Sequence, residues 1–380
     1  MKRSTGVFET MQECTRCILD ESIPHISFDA EGVCNYCRKQ EEMDKKYLIS
    51  EPVLDEQVKR IKEEGKDQRY DAIIGVSGGA DSSYLMKKMA EKNVRMLGVH
   101  FDNGWNTGIA ENNIEVMTKK LNIDFIRFKM DPAEFNDLNK SFLYASVPDA
   151  DIPNDMALVT CLYIACEAFG VKTILDGHSF RTEGFMPLGW SYMDGGYIES
   201  VQEQFGTVPI KTLPNLEFHK WIHWLELGIE RFRGLYHIEY VKERAKKELH
   251  DEFGWKWYGG HHNENIYTKF VGNYLRPRKF KIDPRRIEYS ALVRSGQLTC
   301  EEAKERAAVM PTIENDEMSM VLDRLGLTKE DLEEIMEMPV KSHHDYGTYH
   351  QKFKQHKDTF YRLFKQGLIP ETFYLKYVEQ

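Results

Sequence analysis

Between residues 70 and 176 the chain alternates short apolar runs with longer amphipathic stretches. The first run, Tyr70-Asp71-Ala72-Ile73-Ile74-Gly75-Val76-Ser77, has the length and apolar content of a strand buried on both faces of a parallel sheet. A helical pattern follows from about Ser82 to Lys92, then a strand from Val94 to Phe101, a helix near Ile109 to Leu121 and a strand from Asp124 to Phe128. Later come a helix from about Asn154 to Phe169 and a strand over Val171-Lys172-Thr173-Ile174-Leu175-Asp176. Strands alternating with helices predict an α/β fold built on a doubly wound parallel sheet, whose ligands sit at the carboxyl ends of the strands.

Outside this block the pattern changes. Residues 1–50 hold paired cysteines on either side of the turn-forming stretch Phe28-Asp29-Ala30-Glu31-Gly32-Val33, which predicts a small ribbon, and Glu51 to about Glu64 reads as a charged helix. Residues 179–270 are rich in Gly, aromatics and His with weak periodicity, predicting long loops over a site rather than another regular layer. Beyond Ser290 the chain reads as helical, with Thr299-x-x-Glu302 and Thr328-x-x-Asp331 as helix-start caps. The expected organisation is a ribbon over 1–50, an α/β domain over 51–190, a substrate or lid region over 191–290 and a helical C-terminal region over 291–380.

Composition narrows the class. With 380 residues, 41% hydrophobic and 29% charged, the chain is globular and long enough for two or three modules. No apolar run approaches the ~20 residues of a bilayer span, and Met1-Lys2-Arg3-Ser4-Thr5-Gly6 leads into no apolar leader core. The expected location is the cytoplasm, with no membrane partner. A net charge of −10 and a pI near 5.8 disfavour nucleic acid, whose affinity rests on neutralising phosphates. Against that background Arg276-Pro277-Arg278-Lys279-Phe280-Lys281, with Arg285 and Arg286, is sharply basic. It reads either as a holder of phosphates or a carboxylate, or as a solvated charged loop.

Of the seven cysteines, Cys14, Cys17, Cys34 and Cys37 form the C-x2-C…C-x2-C arrangement of a tetrahedral zinc site. Four thiolates leave no open position, so Zn²⁺ there is structural. Cys161, Cys166 and Cys300 remain. The first two stand i,i+5 on a predicted helix, roughly 140° apart, and so do not face one ligand together.

The sharpest chemical signal is Ser77-Gly78-Gly79-Ala80-Asp81-Ser82-Ser83, between an apolar strand and a helix start. Gly78 and Gly79 let the backbone approach an anion, and the helix N-terminus adds unpaired N–H groups and the positive dipole end. Ser77, Ser82 and Ser83 supply hydroxyl donors and Asp81 a ligand for Mg²⁺. The spacing is neither that of a Walker loop nor G-x-G-x-x-G.

This loop resembles the S-G-G-x-D-S signature of the PP-loop ATP pyrophosphatases, enzymes that split ATP to AMP and pyrophosphate, over about residues 70–180. The resemblance implies an adenine nucleotide alpha hydrolase-like fold. It implies that Asp176-Gly177-His178 is the second nucleotide motif, giving Gly177 to the nucleotide and His178 to catalysis, and that Asp102 and Asn103 close the strand where adenosine lies.

Over most of its length the chain is similar to the N-acetyl sugar amidotransferases of bacterial surface-polysaccharide and nonulosonic-acid pathways, the group of WbpG and the pseudaminic-acid acetamidino synthases. The likeness rests on the paired cysteines, Ile174-Leu175-Asp176-Gly177-His178, Tyr258-Gly259-Gly260-His261-His262 with Thr268-Lys269-Phe270, and the Arg276–Arg286 stretch leading to Ser295-Gly296-Gln297-Leu298-Thr299. It implies that an acetamido group on a sugar acid or nucleotide-sugar becomes an acetamidino group through O-adenylation by ATP and displacement of AMP by ammonia. Asp81, His178 and Lys269 are the expected catalytic residues, and Tyr258, His261, His262 and Arg278 the expected substrate contacts. No cysteine here sits in a glutaminase context, and the resemblance implies a separate glutaminase with a cyclase-like ammonia conduit. The rival reading is a PP-loop tRNA-thiolating enzyme using Cys161, Cys166 and Cys300.

Overall fold

The apolar runs form five strands: β1 (Ala72–Gly75), β2 (Met96–Asp102), β3 (Asp124–Lys129), β4 (Thr173–Leu175) and β5 (Glu230–Phe232). They pair in the order β3-β2-β1-β4-β5, every neighbour parallel. In β1, Ile73 stands opposite Leu97 of β2 and Ile174 of β4. The side chains then divide by strand alternation: Ile73, Leu97, Val99 and Ile174 join one apolar core, while Ala72, Ile74, Met96 and Leu175 join another. Two cores, one on each face, make the sheet doubly wound, as the sequence predicts.

The computed structural model describes residues 11–369 and 371–379. The leader reading, which rests on Met1–Gly6, lies outside them. The chain divides into two compact units, one of Met1–Leu48, Phe180–Trp190 and Pro284–Met310, the other of Ile49–Ser179, Ser191–Asp283 and Pro311–Gln380.

In the larger unit the helix Ile152–Phe169 packs on β1, β2 and β4. It is the one described helix long and apolar enough by composition to cross a membrane, and ten of its residues are buried, among them Cys161 and Cys166. The helix Pro132–Tyr144 was not predicted. It starts at Asp131, whose carboxylate accepts the Ala133 N–H at 2.8 Å, with Pro132 at the first helical position. The expectation of long loops over 179–270 is corrected: this stretch holds the helices Gly195–Phe205, Phe218–Glu226 and Lys242–Phe253 and strand β5.

The helical C-terminal region is present, and both predicted caps are reciprocal, Thr299 with Glu302 and Thr328 with Asp331. In the smaller unit two tight turns carry the cysteine pairs, the helix Asn35–Lys46 begins at the second pair, and Ile18 packs with Leu292, Leu298 and Ala303.

The strand order positions the site. From β1 the chain moves outward through β2 to β3, then returns across the sheet to β4 on the other side of β1. The crevice of a doubly wound sheet opens at this reversal, beyond the carboxyl ends of β1 and β4. Ser77–Ser83 follows β1, and Asp176-Gly177-His178 follows β4.

Candidate active site

Gly78 turns the loop with a φ of +78°, in the left-handed region that favours glycine. A Cβ there would stand 2.5 Å from the Ala110 carbonyl oxygen. The Gly78 carbonyl accepts from Asn113 Nδ2 at 3.1 Å and from Trp255 Nε1 at 3.0 Å, which pins the turn. Ser77 Oγ accepts the Gly79 N–H at 3.1 Å and lies 3.2 Å from Ser82 Oγ. The Ala80 N–H, one of the unpaired donors at the start of the helix Ala80–Glu91, reaches Tyr258 Oη at 3.2 Å.

Beside Gly79 the loop encloses a small space. A Cβ built on that residue would meet Ser77 Oγ at 3.0 Å, Tyr258 Oη at 3.2 Å and Glu264 Oε1 at 3.3 Å. Asp81 Oδ1 and Glu264 Oε2 are both buried and make no hydrogen bond. Each is an unpartnered buried carboxylate oxygen, a hard donor of the kind that suits Mg²⁺, one on the loop itself and one on the residue whose other oxygen lies beside Gly79. Ser83, one turn into the helix Ala80–Glu91, is buried.

The second wall comes from β4. A Cβ on Gly177 would lie 3.1 Å from Ser82 N and Cα and 3.3 Å from Asp81 C, so the strand end and the loop touch backbone to backbone. Asp176 accepts the His178 N–H at 3.0 Å and Arg233 Nε at 3.2 Å, with Arg231 at 3.8 Å. Burial alone would raise this carboxyl, but the Arg231 and Arg233 guanidiniums outweigh it and hold it at about 2. His178 Nδ1 meets Tyr236 Oη at 3.0 Å. The ring is thereby oriented at the crevice.

The His261 and His262 rings lie against each other, centroids 3.7 Å apart and planes tilted by 39°, and His262 takes a φ of +58°. Burial, then the positive charges of His262, Lys242 and His178, hold His261 well below the usual imidazole range. A neutral imidazole beside His178 is a proton acceptor at neutral pH. His262 Nδ1 stands 3.9 Å from Glu264 Oε1, which links the histidines to the phosphate loop.

Other predicted residues lie apart from this constellation. Lys269 Nζ pairs with Glu317 at 2.5 Å, a partly buried ion pair rather than a contact to the loop. Arg278 donates to the Asn273 carbonyl at 2.8 Å and to the Pro311 carbonyl at 3.1 Å. Its neighbours behave alike: Arg276 Nε donates to Pro148 O at 2.9 Å, and buried Lys279 to Ile335 O at 2.5 Å and Met338 O at 2.8 Å. Arg286 likewise donates to Ile18 O at 2.6 Å within the smaller unit. The cations of the basic stretch are thus engaged within the protein, mostly by backbone carbonyls and, for Arg286, also by the Asp20 carboxylate at 2.5 Å. Asp102 accepts the Gly104 N–H at 3.2 Å and faces Arg127 at 3.6 Å.

Sequence reasoning missed Glu264, Tyr236, Arg231 and Arg233. An acid directly before the helix cap Asn265, within His261-His262-Asn263-Glu264, was the available signal for Glu264.

In the smaller unit Cys14, Cys17, Cys34 and Cys37 are buried together, with Sγ–Sγ distances of 3.8 Å for Cys14 and Cys37 and 3.7 Å for Cys17 and Cys34. Tetrahedral zinc with Zn–S bonds of about 2.3 Å sets ligand sulfurs about 3.8 Å apart, which these two distances match, and all four sulfurs lie within 4.8 Å of one another. The Arg16 N–H at 3.4 Å and the Cys34 N–H at 3.2 Å point at Cys14 Sγ and favour its thiolate. Cys161 and Cys166 are buried thiols that burial pushes up, Cys161 to about 12, the opposite of a reactive pair.

Residues 264–360 match the family model of the LPS biosynthesis protein WbpG-like, C-terminal domain. No curated protein matches the chain. Among solved structures, NMN synthetase from Francisella tularensis is similar at 12% identity and a TM-score of 0.31, covering 76% of this chain and 97% of that one. An NH3-dependent NAD synthetase from Campylobacter jejuni subsp. jejuni NCTC 11168, in complex with the nitrate ion, is similar at 12% identity and a TM-score of 0.27, covering 70% and 98%. Likenesses this low add nothing to what the sheet itself displays.

Proposed function

We propose that this chain, with a WbpG-like C-terminal domain behind a strand, PP-loop and helix, is an ATP-dependent, AMP-forming enzyme that converts an acetamido group on a bacterial sugar to an acetamidino group. The observation that carries this reading is the junction at Gly79. There Glu264, the first residue of the WbpG-like match, stands against the phosphate loop with one carboxylate oxygen unpartnered. The loop serves the nucleotide, and the WbpG-like segment brings to it the specificity for a sugar amide.

The chemistry follows from what an amide is. Its carbonyl is a weak electrophile and its oxygen a poor leaving group. Attack of that oxygen on the α-phosphorus of ATP breaks the bond to pyrophosphate and gives an O-adenyl imidate. Ammonia then adds at carbon, and AMP departs with the former amide oxygen. The N–H groups of Gly79 and Ala80, which here donate to Ser77 Oγ and Tyr258 Oη, would turn to the pyrophosphate on binding, together with the hydroxyls of Ser77 and Ser82. Asp81 and Glu264 would hold Mg²⁺, which supplies charge neutralisation for the departing pyrophosphate. His178, oriented by Tyr236, faces the nucleotide side, while neutral His261 accepts a proton on the sugar side. Zinc at the four cysteines has a structural role. A separate glutaminase and conduit protein supply ammonia in this reading, and free ammonium replaces them at high concentration.

The test is product analysis by mass spectrometry with ATP, Mg²⁺ and ammonium against diacetamido sugar acids and their nucleotide-linked forms. AMP, pyrophosphate and a sugar with NH in place of O support the proposal. AMP formed only with tRNA and a sulfur donor replaces it with the thiolase reading.

A further inference from the structure

The buried strand β2 carries His100 between Val99 and Phe101, and the imidazole is 3% exposed. A ring buried among apolar neighbours needs a partner for each nitrogen. Nδ1 lies 2.7 Å from the Val76 carbonyl oxygen, which can only accept, so Nδ1 carries the proton. Nε2 lies 3.1 Å from Asn106 Nδ2, an amide nitrogen that also donates to Glu111 Oε1 at 2.8 Å. That group can only donate, so Nε2 is bare. His100 is therefore a neutral imidazole with both nitrogens engaged.

Both partners lead to the nucleotide crevice. Val76 stands one residue beyond β1 and immediately before Ser77, where the phosphate loop begins. Asn106 forms an antiparallel bridge with Asn265. Around that bridge the Thr107 N–H donates to the Glu264 carbonyl at 2.8 Å, and the Ile266 N–H donates to the Trp105 carbonyl at 2.9 Å. This pairing delivers Glu264, whose Oε1 would lie 3.3 Å from a Cβ on Gly79. One imidazole thus ties the root of the phosphate loop to the strip that brings the WbpG-like segment against it.

The arrangement works in one charge state. The charged groups around the ring are Glu111 on the helix Gly108–Lys120, 3.7 Å from Nε2, Asp102 on β2, and Arg127 on β3, which pairs with Glu111 at 2.7 Å. Burial holds His100 below the usual imidazole value, against the pull of the Val76 carbonyl and of Glu111. A proton on Nε2 would face the Asn106 amide nitrogen, two donors together. Turning that amide round would set its oxygen against the Glu111 carboxylate instead. Either way one link of the chain is lost.

We propose that His100, as a neutral imidazole, is the positioning residue of the nucleotide site: it holds the phosphate loop in register with Glu264 and so sets the affinity for Mg²⁺-ATP. This rests on the nucleotide half of the preceding reading. It needs no contact between His100 and ATP, since the ring acts through Val76 and Asn106.

The experiment is equilibrium titration of the full-length protein with ATP in saturating Mg²⁺, at several pH values between about 8 and 5, with wild type, His100→Asn and His100→Leu. In H100N the amide nitrogen stands in the place of Nδ1, keeps the bond to Val76 and does not titrate. H100L leaves the Val76 carbonyl and the Asn106 amide unmet, and its affinity at neutral pH is expected to fall about tenfold or more, with H100N recovering most of the loss. The pH profile separates positioning from mere packing. A cation gained near a triphosphate would by itself tighten binding as pH falls. A positioner that protonation breaks loosens it, so wild-type affinity should fall below the ordinary imidazole value while H100N shows only the titration of ATP itself. A folded H100L that binds like wild type overturns the proposal, as do parallel pH profiles of wild type and H100N, a comparison that holds even if H100L does not fold. Wild type that binds no Mg²⁺-ATP overturns the nucleotide reading together with this one. Failure to turn over any acetamido sugar counts against the sugar reading alone, because the readout here is nucleotide binding.

Discussion

Gly177→Ala is the most incisive substitution at the crevice. A methyl there falls 3.1 Å from Ser82 N and Cα and 3.3 Å from Asp81 C, all backbone atoms of the phosphate loop. Carbon contacts are optimal near about 3.5–4.0 Å, so loop and strand end must separate by about half an ångström. Overpacking of this kind costs about 1–3 kcal/mol. For a unit of this size that lowers Tm by about 2–4 °C per kcal/mol. The effect on activity is larger, because the displaced atoms belong to the cradle itself: a misplacement of about 1 Å costs roughly a hundredfold, and half of that about tenfold. The ATP KM and the exchange of pyrophosphate into ATP are the assays, with the melt as control. G177A with wild-type kinetics would refute the claim that β4 and the loop form one nucleotide crevice.

Three further outcomes follow. Cys34→Ser should abolish binding of one zinc per chain, read by atomic emission, and lower the melting temperature, because the remaining three thiols no longer close the tetrahedron. Asp176 sits at about 2 against an ordinary 3.8, so its contribution of about 2 kcal/mol is present above the unfolded carboxyl's pKa and lost as pH falls through about 2; Asp176→Asn should flatten stability in that window, measured by denaturant melts. Lys269→Ala leaves Glu317 partly buried and unpaired, so stability should fall by roughly 1–3 kcal/mol while the ATP KM is unchanged; a collapse of kcat in a stably folded K269A would restore a catalytic role.

What was legible in the sequence was local. Ser77–Ser83 could be read because glycines, hydroxyls and an acid at a strand-to-helix junction serve an anion wherever they occur, and the four cysteines because two C-x2-C pairs close a tetrahedron without help from a core. The caps at Thr299 and Thr328 are likewise complete within four residues. What failed depended on distant partners. β5 is three residues, Glu230-Arg231-Phe232, too short for any period, and pairs only because β4 offers an edge. Arg276, Arg278 and Lys279 look like an anion site until the carbonyls they meet, on Pro148, Pro311, Ile335 and Met338, are seen. Glu264 acquires meaning only when the fold carries it to Gly79. The long-loop reading of 179–270 mistook helices such as Phe218–Glu226, whose aromatics mask their period, for irregular chain.

The central claim is that the amide oxygen leaves on AMP. An acetamido sugar labelled with ¹⁸O in its carbonyl, incubated with the protein, ATP, Mg²⁺ and ammonium, should give AMP heavier by one ¹⁸O and an unlabelled acetamidino sugar. Label remaining in the sugar or appearing in pyrophosphate, with AMP unlabelled, would contradict O-adenylation of the amide.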